Sequence, residues 1–202
     1  MGLQYKFIWL YRLLIPIIHR KKVKNSFAKA VGKNVSVFEV ACGFGQTADY
    51  LDSTATYSGI DLNEKFIKYA KEKGKDVRLG DIFEPRSYQP SDVITLVDII
   101  HHMPGEKLPE LFDHIFQFAQ KKVVILEPSF VNLESKYGLA GRAVDWIFKK
   151  LDSDGFNTIE RWYSESEYAE MFESRFGSKL GEKFEVSVEK VWPYNLVTYS
   201  RK

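Results

Sequence analysis

Val37-Phe38-Glu39-Val40-Ala41-Cys42-Gly43-Phe44-Gly45-Gln46 begins as an apolar, β-branched run and ends in a loop of small residues. A strand that runs into such a loop and then into a helical pattern is the turn at which parallel α/β proteins bring backbone amides against a ligand. Gly43 and Gly45 carry no Cβ, so the chain can turn tightly and approach a bound group there. Any tight βα turn asks for small residues, so the loop alone decides little. Its weight comes from what surrounds it.

Working outward, apolar runs at Val35–Val40, Tyr57–Ile60, Val77–Leu79, Val93–Val97 and Val123–Leu126 alternate with helical patterns at Thr47–Leu51, Asn63–Lys73 and Glu106–Phe118. Phe66, Ile67 and Ala70, then Leu108, Leu111, Phe112, Ile115 and Phe116, recur at helical spacing, and Asn63 is placed as an N-cap. This alternation predicts a mostly parallel sheet wound with helices. Phe184–Val191 and Leu196–Tyr199 read as two closing strands, with Pro193 and Asn195 marking the turn between them. Ser164–Phe176 reads as a helix. Residues 128–160 lack strand signals and read as an inserted helical cap, and residues 1–34 as an N-terminal helical segment ahead of a domain at 35–202.

Carboxylates stand at the ends of the first three strands: Glu39, Asp61 and Asp81. Open α/β sheets bind ligands at those ends. An acid after the second strand can accept both hydroxyls of a ribose, because one carboxylate takes two hydrogen bonds.

Composition narrows the function. In 202 residues, 29 Lys and Arg nearly balance 27 Asp and Glu, leaving a net charge of +2, which is far from the basic excess of a nucleic-acid footprint. A single Cys excludes an intrachain disulfide and a zinc site built of cysteines, and fits a reducing compartment, so the cytoplasm is expected. Phe7–Ile18 is apolar, but Arg12 and Pro16 interrupt it and His19, Arg20, Lys21, Lys22 and Lys24 follow. A spanning helix needs about 20 mostly apolar residues. A transmembrane span and a signal peptide are therefore not expected, and Lys6 breaks the myristoylation pattern. Residues 5–24 read as a lid or packed helix, with peripheral membrane contact as the alternative.

The glycine loop, Asp61, Asp81 and Asp98-Ile99-Ile100-His101-His102-Met103-Pro104 together resemble the successive motifs of the class I S-adenosylmethionine-dependent methyltransferase family, over roughly Val35 to Glu127. The resemblance implies a Rossmann-like, doubly wound, seven-stranded sheet with an antiparallel last strand. It also implies S-adenosylmethionine as cofactor and no metal. Glu39, Ala41, Cys42, Gly43 and Gly45 would hold its methionine and ribose side. Asp61, with Leu62 beside it, would take the ribose hydroxyls, Asp81 with Ile82 the adenine edge, and Asp98 would lie near the methyl donor. Ala41 stands where the family often has its first glycine, Glu39 where Asp is frequent, and Gln46 where a small residue is common.

Two other readings share these residues. Gly43-Phe44-Gly45-Gln46-Thr47-Ala48 fits the GxGxxA form of NAD(P)-dependent oxidoreductases, and Tyr69 with Lys73 mimics a Tyr-x-x-x-Lys pair, although it lies far upstream of where that chemistry belongs. A noncatalytic cofactor-binding module of the same fold is the third reading.

Methyl transfer is a direct displacement that needs alignment and, for a protonated acceptor, a base. His101 and His102, after the fourth strand, can act as that base or hold the acceptor, and Glu127 is a candidate acid on the acceptor side; packing roles are the alternative for each. The Asn/Asp-Pro-Pro-Tyr and Pro-Cys patterns of base methylation are absent, so no nucleic-acid partner is expected. The acceptor is expected to be a small, apolar or amphiphilic molecule. Tyr137, Trp146, Phe148, Phe156, Trp162 and Tyr163 would supply apolar walls, and Lys136, Arg142, Lys149, Lys150 and Arg161 would pair an anionic head.

Overall fold

The central strands are buried on both faces because helices cover the sheet from both sides, as parallel sheets require. The computed structural model describes residues 19–128, 138–139, 163–164, 166–167, 170 and 184–202. Among these, the strands are β1 (Ser36–Val40), β2 (Thr56–Asp61), β3 (Val77–Leu79), β4 (Ser91–Val97), β5 (Ala119–Pro128), β6 (Phe184–Val191) and β7 (Tyr194–Arg201), and the α-helices are α1 (Lys21–Val31), α2 (Glu64–Glu72) and α3 (Leu108–Phe118).

They form one seven-stranded sheet in the order β3-β2-β1-β4-β5-β7-β6. Neighbours from β3 to β5 are parallel. β7 pairs antiparallel with both β5 and β6, so it runs against the rest of the sheet. This is the Rossmann-like sheet that the motifs implied, with the reversed strand next to last in space. Strand order changes direction between β1 and β4, which opens the crevice where doubly wound sheets place ligands.

The core divides across the sheet. α1 buries Val23, Phe27 and Val31, spaced four apart, on Val37, Val93, Val124, Leu126 and Tyr194. α3 buries Leu108, Leu111, Phe112, Ile115 and Phe116 on the opposite face, with Phe38, Ile94, Leu96, Ile125 and Tyr199. Each such side chain contributes on the order of 1.5–3 kcal/mol. α2 packs Phe66, Ile67 and Ala70 on Cys42, Phe44 and Val77 beneath the glycine loop. Asn63 caps α2, its side-chain oxygen accepting the amides of Lys65 (3.0 Å) and Phe66 (3.4 Å).

Two local expectations are corrected. The glycine loop opens not onto an α-helix but onto a 3-10 turn, Gln46–Tyr50. Leu51 is already extended, and Asp52 draws the next residues into a side-chain turn by accepting the Thr54 amide (3.1 Å) and hydroxyl (2.7 Å). So short an element supplies little helix dipole. Asn195 does not mark the last turn; Trp192-Pro193 alone forms it, and Asn195 lies fully buried in β7 opposite Glu127, its Nδ2 donating to the Tyr163 carbonyl at 3.4 Å.

Pro128, the expected first residue of the cap, belongs to β5, and apart from it and residues 138–139 the expected cap at 128–160, its aromatic and basic residues other than the buried Tyr163, most of the helix at Ser164–Phe176, and residues 5–18 lie outside the described residues. No helix among the described residues is long and apolar enough to cross a membrane.

Candidate functional site

The glycine loop leaves the end of β1 through three left-handed residues, Ala41 (φ 56°), Gly43 (φ 54°) and Gly45 (φ 71°). Alternating handedness turns successive amides toward one side, the arrangement that cradles a polar ligand. The loop is tied down from β2. Cys42 N–H donates to the Ile60 carbonyl at 2.8 Å, and Gly43 N–H donates to Asp61 Oδ2 at 2.8 Å. Gly59 permits that approach: a Cβ there would lie 2.7 Å from Cys42 Cβ and 3.1 Å from the Glu39 carbonyl. Burial and the neighbouring carboxylates Glu39 and Asp61 push the Cys42 thiol far up, so it is a packing residue and not a nucleophile.

Three carboxylates gather here. Glu39 is 2% exposed, and its Oε2 accepts the hydroxyls of Thr47 and Tyr57. Burial raises its pKa to about 7; the two hydroxyls pull it down, and Asp61 and Asp98 push it up. Asp61 accepts Asn63 N–H at 2.8 Å through Oδ1, and the loop through Oδ2. Leu62 beside it is 64% exposed. At the end of β3, Asp81 Oδ1 accepts Phe83 N–H at 2.9 Å, while Ile82 is buried and its carbonyl accepts the Tyr88 hydroxyl at 2.6 Å.

Asp98, just past β4, is left-handed (φ 55°), and its N–H donates to the Leu126 carbonyl at 3.0 Å. Non-glycine residues held in this region cluster at functional sites. The Asp98 carboxylate accepts from His19 Nε2 at 2.9 Å and from the Tyr194 hydroxyl. Burial would raise its pKa, but the charges of His19 and His101 and those two hydrogen bonds hold it below the usual carboxylate range. The other ring nitrogen of His19, Nδ1, meets the Tyr50 hydroxyl at 2.9 Å.

His101, His102 and Glu127 also come together, but not as an open acid and base. Glu127 is 0% exposed; Oε1 accepts the amides of Ile99 (2.6 Å) and Ile100 (2.8 Å), and Oε2 accepts His101 N–H (3.3 Å) and faces His101 Nδ1 (2.6 Å). The expectation of Glu127 as an acid toward the acceptor is thus met by a carboxylate engaged with the turn that follows β4. His102 is buried too, its ring centroid 4.1 Å from that of His101.

With this geometry in view, relatives can be weighed. Residues 37–122 match the family described as "Methyltransferase domain". That stretch, which runs from β1 into β5, is similar to methyltransferase domains. It is 34% identical over 103 residues to phthiotriol/phenolphthiotriol dimycocerosates methyltransferase of Mycobacterium tuberculosis, covering 46% of this chain and 34% of that protein. The corresponding enzyme 1 of Mycobacterium ulcerans is 31% identical over 121 residues, 54% of this chain and 40% of its own length. The chain thus spans well under half of the curated relatives it matches. In structure it is similar to magnesium protoporphyrin IX methyltransferase from Synechocystis PCC 6803 with bound SAH, with a TM-score of 0.66 at 14% identity, covering 93% of this chain and 85% of that one. Human N-acetylserotonin methyltransferase in complex with SAM gives a TM-score of 0.67 at 15% identity, covering 93% of this chain and 52% of the other. Both likenesses show the methyltransferase fold.

Within this methyltransferase fold, Glu39, Ala41, Cys42, Gly43, Gly45, Asp61 and Asp98 converge on the ends of β1, β2 and β4, with Asp81 and Ile82 at the neighbouring end of β3. The Tyr69 ring packs edge-on against Phe44 of the glycine loop (centroids 6.1 Å), and the ammonium of Lys73, which caps α2, sits 5.8 Å over that ring. Sequence reasoning missed His19, Thr47, Tyr50, Tyr57 and Tyr194. Thr47 lies in the turn just after the glycine loop, eight residues from Glu39; the others reach the site across longer sequence separations, and His19 is masked by the basic run around it. The one signal available is that three of the chain's four histidines, at 19, 101 and 102, are buried around the end of β4.

Proposed function

We propose that the chain binds S-adenosylmethionine in the crevice at the ends of β1, β2 and β4 and transfers its methyl group to a small, apolar or amphiphilic acceptor. The observation that carries this reading is a cluster of carboxylates around a loop of backbone amides, with Asp61 and Asp98 both close enough to Glu39 to act on its charge. The donor brings a sulfonium and an α-ammonium, both cations that offset this charge, together with a ribose diol. The pyrophosphate of a dinucleotide would meet the same carboxylates with like charge, which disfavours the oxidoreductase reading.

Asp61 ends β2 with its two oxygens accepting the amides of Gly43 and Asn63, at the position where a carboxylate takes ribose hydroxyls. Exposed Leu62 offers an apolar wall to the adenine, and the Asp81–Ile82 backbone its polar edge. Asp98 keeps 20% of its side chain open and faces the donor's cationic end. In the reaction the acceptor atom bonds to the methyl carbon as the carbon–sulfur bond breaks, and the electron pair leaves on sulfur as neutral S-adenosylhomocysteine. The protein supplies alignment. His102 is the candidate base for a protonated acceptor, since Glu127 already engages His101. An apolar acceptor is supported by the mycobacterial relatives, which are named for the dimycocerosates of phthiotriol.

Isothermal titration with S-adenosylmethionine, S-adenosylhomocysteine, NADH and NADPH tests this. Micromolar binding of the first pair alone, lost in Asp61→Ala, is expected. Binding of a nicotinamide cofactor would overturn the reading, and binding of none would favour the noncatalytic module.

A further inference from the structure

The mechanism so far leaves one buried histidine without a task. His19 lies just ahead of Arg20, the N-cap of α1, is 2% exposed, and is separated by 79 residues from Asp98 and by 31 from Tyr50. Its ring lies edge-on to Tyr50 (centroids 5.7 Å) and to Tyr194 of β7 (5.1 Å). Nε2 faces a carboxylate and so carries a hydrogen; Nδ1 meets the hydroxyl of Tyr50, which burial and the Asp98 and Glu39 charges keep protonated. One imidazole therefore bridges the 3-10 turn that follows the glycine loop and the left-handed end of β4. A buried histidine with both nitrogens engaged, one of them on a strained carboxylate, is far more than α1 needs for docking, since Val23, Phe27 and Val31 already supply its apolar face.

We infer that His19 is a positioning residue for the donor site: it holds the Asp98 carboxylate and the Tyr50 turn at a fixed separation, so that the segment ahead of the sheet completes the cofactor cradle. The inference rests on the donor reading above. Asp98 is the member of the carboxylate cluster oriented from furthest away in the chain, by His19 at 79 residues and by Tyr194 of β7. Glu39 and Asp61, by contrast, are oriented from within the sheet and its loop. Lys24, stacked 4.8 Å over the Tyr50 ring, ties the same turn to α1 a second time.

The test is titration of S-adenosylhomocysteine into the wild type, His19→Ala, His19→Gln and Phe27→Ala, with thermal melting of each unliganded protein. Loss of a charge-assisted hydrogen bond without replacement is expected to weaken binding about tenfold or more in His19→Ala. The Gln amide can donate to Asp98 and accept from Tyr50, so His19→Gln should keep most of the affinity. Phe27→Ala strips α1 packing without touching the site and should lower the melting temperature while leaving affinity unchanged. Wild-type affinity in His19→Ala, or an equal loss in Phe27→Ala, would overturn the inference alone. Failure of the wild type to bind would overturn the donor reading and this inference with it. Should His19→Ala not fold, the ring 15N resonances of His19 in the wild type replace it: they should move on ligand addition, and an unmoved ring would overturn the assignment.

Discussion

Two histidine–carboxylate pairs flank the end of β4, and they are built to opposite ends. His101–Glu127 is sealed, both side chains 1% exposed or less, and Glu127 accepts three amides besides facing the ring. His19–Asp98 has a carboxylate 20% exposed, held by side chains from distant parts of the chain and seated on strained backbone. The chemistry of the two pairs is the same, but the lone pairs left over differ. A carboxylate whose oxygens are taken by its own fold holds that fold together; one with open surface, in a cluster of like charges, is poised for a cationic ligand. Burial separates structure from site here more clearly than residue type does.

The largest effect should come from breaking the sealed pair. Glu127→Ala orphans three buried amides and a histidine nitrogen, and should destabilise the fold by about 3–5 kcal/mol in urea unfolding. Asp98→Ala should cost less than half of that, while affecting donor binding more. Equal losses of stability from the two variants would erase the distinction.

The open cluster should announce itself through pH. Glu39 titrates near 7 in the fold against 4.5 unfolded, so between these values the folded protein holds a proton that the unfolded chain has lost. Its contribution is fully present below pH 4.5 and declines as pH rises toward 7, by about 3 kcal/mol, and Glu39→Gln should flatten that slope. A cationic donor favours the ionised form, so S-adenosylmethionine should bind more tightly at pH 8 than at pH 6 and release a proton, measurable by titration in buffers of different ionisation enthalpy. A slope that survives in Glu39→Gln would place the titrating group elsewhere.

A smaller effect should come from Leu62→Ala. Covering an exposed leucine with adenine is worth roughly 1 kcal/mol, so affinity should fall about fivefold with no change in melting temperature. A loss of stability instead would assign Leu62 to packing.

Most of the sheet was legible because its strands are buried and therefore apolar. All seven were located, β3 and β6 to the residue. β5 starts four residues earlier than its apolar run because Ala119-Gln120-Lys121-Lys122 looks like a loop; Lys122 belongs to the strand and donates to the Ala30 carbonyl at 2.9 Å. Asn195 misled for the converse reason: a turn-forming residue was recruited into the interior by a long-range carbonyl. In the site, Glu39, Asp61 and Asp81 could be read as acids at strand ends, while Asp98 was read through the resemblance of its stretch to a family motif. His19, Tyr50 and Tyr194 were not, since they arrive from other parts of the topology and no local pattern records which carboxylate they will meet.

The smallest effect tests backbone strain on the same crevice. Ala41 and Asp98 are left-handed at the ends of adjacent strands, and only Asp98 has a short polar side chain suited to that region. At Ala41 the methyl group costs about 1–2 kcal/mol against glycine, partly offset by the greater freedom glycine gains in the unfolded chain and by the small apolar contact that Ala41 makes with the core. Ala41→Gly should therefore stabilise the protein by about 0.5–1 kcal/mol, raising the melting temperature by roughly 1–4 °C. If the strain holds the loop amides toward the ligand, the same variant should bind S-adenosylhomocysteine more weakly while melting higher. Gains in both would show that the loop is fixed by its bonds to Ile60 and Asp61, and that the left-handed alanine is a tolerated cost with no part in positioning the amides.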